Sequence, residues 1–361
     1  MIKVLIIDDS ATVRMILSKG LALDPEIQVV GVAPDPYIAR DMIAKLAPDV
    51  LTLDVEMPRM DGLEFLQRVM GSYPMPVIMV SALTERGKQV TLEALEAGAV
   101  DYVTKPSGSH GATGLNEMIT ALAHKIKIAS RANLRIIRRN LSMLSSKYLT
   151  CADVSGNKSS NLSGDNSDKI IAIGASTGGT VAIRELLGQF SVASPGIVLV
   201  QHITSGFSKM FAERLNEFTE LTVKEAEHGD KVVCGRVLVA PSNVHMTIRR
   251  SGSTYIVDCL PGELVCGHCP SVEMLFRSVA KSAGTKAVGV ILTGMGNDGA
   301  EGLLAMRDAG AVTIGQDEAS CIVFGMPKVA WELGGVQKLL PLDGIVPEII
   351  RSLAKSEKII Y

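Results

Sequence analysis

The sequence predicts an α/β protein of two doubly wound domains: a smaller one on a five-stranded parallel sheet, and a larger, mostly parallel one with a β-hairpin. Three observations carry this. Short apolar runs alternate with amphipathic helical patterns through both ends of the chain, as in successive βαβ units. The 361 residues are 47% hydrophobic but only 4% aromatic, with 34 glycines. The cores must therefore rest on Val, Ile, Leu, Ala and Met, a mix suited to helices wrapped on buried parallel strands. A polar stretch from Cys151 to Asp168, CADVSGNKSSNLSGDNSD, separates two dense regions. It has almost nothing to bury and reads as a flexible linker.

The first dense region predicts strands at Lys3–Ile7, Ile27–Val32, Val50–Leu53, Val77–Val80 and Tyr102–Thr104. Helical patterns lie between them at Ala11–Leu21, Tyr37–Leu46, Leu63–Val69 and Gly87–Glu96, and a fifth begins near Leu115. Right-handed crossovers then put the C-terminal ends of all five strands on one edge, where such folds bind ligands. Lys125 to Lys147 carries seven Lys/Arg and no acid, with Ile and Leu at irregular helical spacing. It fits a basic amphipathic helix and reads as a solvated interdomain helix rather than a nucleic-acid or lipid contact. The expected organisation is a first domain over residues 1–124, a linker over 125–168 and a second domain over 169–361.

The second domain predicts strands at Ile170–Ile173, Ile197–Val200, Leu221–Lys224, Val237–Val239, Val288–Leu292 and Val312–Ile314. A hairpin is expected from Met246–Arg249 and Thr254–Asp258, turning at Ser251-Gly252. Helices are expected at Gly179–Gln189, Lys209–Phe218, Val272–Ala280, Gly302–Asp308 and Val346–Ala354.

Charge and cysteine content exclude several classes. Lys plus Arg number 36 against 38 Asp plus Glu, a net charge of −2, which gives no global electrostatic case for nucleic acid or membrane binding. Six cysteines in a chain this long are not a disulfide scaffold. No apolar run approaches bilayer-spanning length. Asp8 and Asp9 interrupt the first apolar stretch too early for a secretory signal. The expected compartment is the cytoplasm.

The strand ends of the first domain gather chemistry. Asp8 and Asp9 end the first strand, Asp54 the third and Ser81 the fourth, and Lys105 follows the fifth. Three carboxylates in one pocket repel unless a cation sits among them, and oxygen ligands with room for water point to Mg²⁺. A lysine and a hydroxyl beside them can bind phosphoryl oxygens, which suits a carboxylate that attacks phosphorus. With Met57-Pro58, Asp61-Gly62, Ala82 and Pro106 alongside them, these residues resemble a two-component receiver domain. The resemblance covers about the first 120 residues. It implies phosphotransfer from a histidine kinase onto Asp54, with Mg²⁺ held by Asp8, Asp9, Asp54 and the backbone carbonyl of Glu56. Ser81 and Lys105 would contact the phosphoryl group, and Tyr102 would be the aromatic switch position.

In the second domain, Gly174-Ala175-Ser176-Thr177-Gly178 follows a buried strand and precedes a helix. It matches the G-x-S-x-G elbow that presents a serine on a tight turn. The helix start offers free N–H groups for an oxyanion. A phosphate-binding loop or a plain tight turn fits the same pattern, although the dinucleotide fingerprint fails because its central glycine would be Ser176. His202 closes the neighbouring strand on the same edge and can approach Ser176 as a base. Asp298 lies in the glycine-rich loop after Val288–Leu292. It is the candidate to orient His202, and capping of the following helix is its alternative role. The order Ser, His, Asp differs from those of ordinary α/β-hydrolases, chymotrypsin and subtilisin.

At these residues the chain resembles the chemotaxis protein-glutamate methylesterase (CheB-type) family. The resemblance rests on Gly174 to Gly179, Gln201-His202 and Leu292 to Gly299, with support from Phe211 to Leu215, Ala240-Pro241, Pro270-Ser271-Val272 and Phe324 to Pro327. It implies hydrolysis of glutamyl methyl esters on chemoreceptors with release of methanol, and deamidation of receptor glutamines. Ser176 would be the nucleophile, His202 the general base then acid, and Asp298 its orienter, with N–H groups near Thr177 and Met295 as oxyanion donors. No cofactor is implied for the esterase, and autoinhibition by the receiver is. The chain departs from the family at Ile203-Thr204, where Met-Pro is expected, and at Cys269, where His268 is usually followed by Arg. Cys266-Gly267-His268-Cys269 could suggest a redox dithiol or half a zinc site, but the missing further ligands favour ordinary reduced thiols. Two rival classes are a regulator whose second domain only binds, with residues 125–147 as a DNA contact, and an unrelated esterase under phosphorylation control.

Overall fold

In the computed structural model the described residues are 1–82, 84–106, 111–137 and 168–355. The chain divides into two compact units, Met1–Val154 and Ser155–Tyr361. The polar stretch expected to be a flexible linker lies outside the described residues, apart from Asp168.

The first unit alternates β1 (Ile2–Ile7), α1 (Ala11–Leu21), β2 (Ile27–Ala33), α2 (Pro36–Leu46), β3 (Val50–Asp54), α3 (Gly62–Ser72), β4 (Val77–Ser81), α4 (Glu85–Glu96), β5 (Asp101–Thr104) and α5 (Gly111–Ala129). The parallel sheet has the order β2-β1-β3-β4-β5. β1 and β3 are adjacent in the sheet, with α1, β2 and α2 lying between them in sequence. The loops after β1 and β3 therefore leave in opposite directions and open a crevice between them. Polar caps set where several helices begin. Asp35 accepts the N–H groups of Tyr37 and Ile38, Asp61 that of Glu64, and Thr84 that of Gly87. Each such cap satisfies N–H groups the helix cannot pair. Pro36 starts α2, where its missing N–H costs nothing.

The basic stretch does not form the single helix expected. Lys125–Ala129 completes α5, the chain turns at Ser130-Arg131, and helical backbone resumes over 134–137. Asn133 causes the restart, its side chain accepting the Arg135 N–H at 3.2 Å. Asparagine favours such caps over helix interiors. The rest of the stretch lies outside the described residues.

The second unit contains β6 (Ile170–Ala175), α6 (Gly179–Leu187), β7 (Gly196–Gln201), α7 (Ser208–Phe218), β8 (Thr222–Glu225), β9 (Lys231–Val232), β10 (Arg236–Val239), β11 (His245–Ser251), β12 (Thr254–Leu260), α8 (Val272–Ala283), β13 (Ala287–Ile291), α9 (Ala300–Asp308), β14 (Val312–Gln316), α10 (Met326–Glu332), β15 (Lys338–Leu340) and α11 (Leu342–Lys355). Seven parallel strands run in the order β15-β14-β13-β6-β7-β10-β8. The hairpin β11-β12 forms with β9 a separate antiparallel sheet. β9, β15 and α10 have no counterpart in the sequence reading; with two, three and seven residues they are too short to show a period.

The chain builds outward from β6 in both directions. β7 lies on one side of it and β13 on the other. The C-terminal end of β6 is thus the switch point of the sheet, where doubly wound folds open their crevice. The core beneath it is aliphatic, with Val198, Val200, Leu238, Leu275, Ile291 and Leu303 all fully buried.

Candidate active site

At the strand ends of the first unit, ligand atoms of Asp8, Asp9 and Asp54 lie within 4.8 Å of one another. The Lys105 ammonium bridges two of them, 2.9 Å from Asp8 and 2.8 Å from Asp54. Asp8 and Asp54 are buried and Asp9 is exposed, so the cluster opens to water on one side. Burial pushes the Asp54 carboxyl up to about 6, against the pull of Lys105 in the other direction. Burial also works against the Lys105 ammonium, but the Asp54 and Asp8 carboxylates outweigh it and hold its pKa above the usual lysine range. Ser81 stands on the same edge, fully buried, with its hydroxyl 3.2 Å from the carbonyls of Ala82 and Gly87. The Tyr102 ring is buried, with the Lys125 ammonium 5.2 Å from its centroid.

In the second unit the strand–turn–helix around Ser176 is built as an elbow. Gly178 has φ +78°, a conformation glycine adopts without strain, and it turns β6 into α6 within three residues. The Ser176 N–H donates to the Thr293 carbonyl at 3.1 Å, and its own carbonyl accepts from Gly179 N–H and from the Gln201 amide. Gln201 also donates to the His202 carbonyl at 3.0 Å, so one amide brackets the nucleophile and base candidates. Ala175 pairs with Gln201 in the β6–β7 register. Ser176 and His202 are therefore the next positions on neighbouring strands, which lie about 4.8 Å apart.

The loop after β13 closes over the elbow. A Cβ on Gly294 would meet the Ser176 Cβ at 2.7 Å, so only glycine permits this approach. The Thr293 hydroxyl lies 3.0 Å from the Thr177 carbonyl and accepts the Val323 N–H at 3.0 Å, tying three loops together. Gly294 N–H donates to the Val323 carbonyl, and Gly325 and Met326 N–H groups donate to the Gly294 carbonyl. The Met295 N–H follows in this fixed loop and has no acceptor among the described residues.

His202 and Asp298, 96 residues apart, are joined directly: Nε2 lies 2.7 Å from Asp298 Oδ2. Asp298 is buried yet fully satisfied. Its Oδ1 accepts from Ser271 Oγ at 2.7 Å and Glu273 N–H at 3.0 Å, while Oδ2 also accepts from Val272 N–H at 2.7 Å. Burial alone would raise the Asp298 carboxyl, but His202, Ser271 and the Glu273 N–H outweigh it and hold it below the usual carboxylate range. An ionised Asp298 makes Nε2 the donor. In a neutral imidazole Nδ1 then carries the lone pair, and this atom is buried with no hydrogen-bond partner. Asp298 does receive helix N–H groups, but those of α8 rather than of the α9 that follows it.

Sequence reasoning gave no role to two residues here. Ser271 caps α8, accepting the Met274 N–H while donating to Asp298. His268 stacks on His202, with ring centroids 3.6 Å apart and planes inclined by 13°. A serine ahead of an apolar helical run was a visible capping signal; the ring stack had none. Cys266 and Cys269 are free thiols. Val265 and His268 exchange both backbone hydrogen bonds, at 3.1 and 2.9 Å, so Cys266 and Gly267, with φ of 51° and 81°, form a two-residue hairpin turn. Burial pushes both thiols up, away from reactive thiolate chemistry.

Comparison with known proteins follows the same division. Residues 4–113 match the response regulator receiver domain family and residues 171–349 the CheB methylesterase family. A protein-glutamate methylesterase/protein-glutamine glutaminase of Syntrophotalea carbinolica is 55% identical over 98% of both chains. The Salmonella typhimurium protein of the same name is 47% identical over 99% of both. The crystal structure of the Thermotoga maritima CheB methylesterase catalytic domain covers 51% of this chain and 97% of its own, at 35% identity and a TM-score of 0.50.

Proposed function

The chain belongs to the CheB methylesterase family, with a receiver domain ahead of the catalytic one, and from that premise we propose how its own residues do the work. It is a protein-glutamate methylesterase and protein-glutamine glutaminase, and its receiver domain fits control by phosphorylation. The observation that carries the catalytic assignment is the Asp298–His202 bond, which leaves Nδ1 as a buried, unpaired base on the residue that follows β7, beside the serine elbow that follows β6.

Ser176 Oγ attacks the carbonyl carbon of a glutamyl methyl ester while His202 Nδ1 takes its proton. Asp298 holds Nε2–H and balances the imidazolium. The N–H groups of Thr177 and Met295 receive the developing oxyanion. Collapse of the tetrahedral intermediate breaks the bond to the methoxy oxygen, and Nδ1–H protonates it as methanol leaves. Water, deprotonated by the same nitrogen, then cleaves the acyl-enzyme to free glutamate and Ser176. With a glutamine side chain the leaving group is ammonia. The base nitrogen is thus Nδ1 and the oriented one Nε2.

In the receiver, Asp54 is the phosphoacceptor. The carboxylate cluster suits Mg²⁺: its donors are hard oxygens, and the exposed Asp9 side leaves room for water. Asp8, Asp9, Asp54 and the Glu56 carbonyl would hold the ion, which when bound supplies positive charge against the phosphoryl oxygens. Lys105 adds a second cation, and Ser81 and Tyr102 are the residues that respond. The phosphodonor is a chemotaxis histidine kinase and the substrates are methylated chemoreceptors, met in the cytoplasm. No helix among the described residues is long and apolar enough to cross a membrane.

Methanol release from a methyl-labelled receptor should rise when a small phosphodonor and Mg²⁺ are added. Asp54→Asn should abolish both that rise and the uptake of base-labile phosphate. Phosphate uptake that survives the substitution would contradict the acceptor assignment.

A further inference from the structure

We propose that His268 is a positioning residue for the base: its ring, stacked on His202, fixes the imidazole plane so that Nδ1 is held toward the elbow. This rests on the catalytic reading above and deepens it.

A single hydrogen bond does not fix a ring. The Asp298 contact holds Nε2 and the side chain's own bond holds Cγ, so the ring can still rock about the line through those two atoms. Nδ1 has no partner to resist that motion. A flat contact over the ring face supplies the missing restraint, and His268 provides one at 3.6 Å and 13°. Near-parallel stacking at that distance leaves no room for the plane to tip.

His268 is itself held. The paired backbone of Val265 and His268 closes a tight turn. Three residues later the same segment delivers Ser271 Oγ, then the Val272 and Glu273 N–H groups, to Asp298. The stretch 265–273 thus grips the imidazole face and the orienting carboxylate together. A structural turn alone would not require an aromatic ring at 268. The Cys266-Gly267 turn also finds its use here, in presenting that ring.

The test compares three variants of the full chain by steady-state methanol release. His268→Ala should lower kcat about tenfold with KM unchanged, since small misplacements of reacting groups carry penalties of up to about 10²-fold. His268→Phe, which keeps a flat ring without nitrogen, should recover most of the loss. His268→Gln, polar but without a ring, should be as slow as alanine. Reaction of Ser176 with a small phosphonofluoridate should fall and recover in the same order, which excludes a lost receptor contact as the cause. A folded alanine variant with parental kcat overturns the proposal, as does a phenylalanine variant no faster than glutamine. Should alanine unfold the domain, the phenylalanine and glutamine pair decides by the same criterion. Loss of parental activity in Ser176→Ala tests the catalytic reading separately, so failure of one is not failure of the other.

Discussion

Ser176→Ala should reduce methanol release from a methylated receptor by about 10⁶-fold, the scale on which serine hydrolases lose turnover when the nucleophile is removed. The substitution deletes one oxygen that makes no hydrogen bond among the described residues. The contacts that build the elbow run through the Ser176 backbone to Thr293, Gly179 and Gln201, and alanine keeps all of them. The melting temperature should therefore stay within a degree or two, and phosphate uptake at Asp54 should be untouched. Loss of turnover in a folded, phosphorylatable chain separates an enzyme from a module that only binds. A variant retaining even a hundredth of parental activity would contradict the nucleophile assignment.

Asp298→Asn should cost about 10⁴-fold in kcat, because the wrong tautomer of the base disables it, and should also lower stability. Both carboxylate oxygens are occupied twice: Oδ1 by Ser271 and Glu273, Oδ2 by His202 and Val272. An amide has one acceptor oxygen. If it faces Ser271 and Glu273, its NH₂ opposes the Val272 N–H and turns His202 Nε2 into an acceptor, which places the proton on Nδ1 and blocks the base. In the reverse orientation His202 keeps Nε2–H, but the NH₂ opposes the Glu273 N–H and the neutral amide no longer balances the imidazolium. Either way a buried donor goes unpaired, a loss of about 1–3 kcal/mol, measurable as a lower melting temperature. A tenfold or smaller loss of kcat would contradict the role given to Asp298.

Much of this site was legible in the sequence because its parts are local. An elbow needs small residues around one serine, and Gly174 to Gly179 displays them in a row. The receiver cluster follows from strand ends, since parallel βα units put Asp8, Asp54 and Lys105 on one edge whatever the loops do. Asp298 was approachable because a glycine-rich loop after an apolar strand marks close backbone approach, here of Gly294 to Ser176. Beyond the pairing of β6 with β7, the order of strands was not legible. That β6 lies between β7 and β13 is decided by packing across more than a hundred residues, and the switch point beneath Ser176 follows only from that order. The His268–His202 stack spans 66 positions, as the two numbers show, and no local period encodes it. The basic stretch misled for the opposite reason. Its charge and apolar spacing ran through Asn133, and the capping preference of one residue outweighed the helical pattern around it.

In the proposed mechanism His202, oriented by Asp298, makes Ser176 the nucleophile of this chain. Phosphonofluoridate labelling of the intact protein, mapped by peptide mass spectrometry and followed by methanol release, tests it most directly. One equivalent on Ser176, with activity lost in proportion to labelling, is the predicted result. Full activity in a chain labelled at Ser176, or inactivation with the label on another residue, would contradict it.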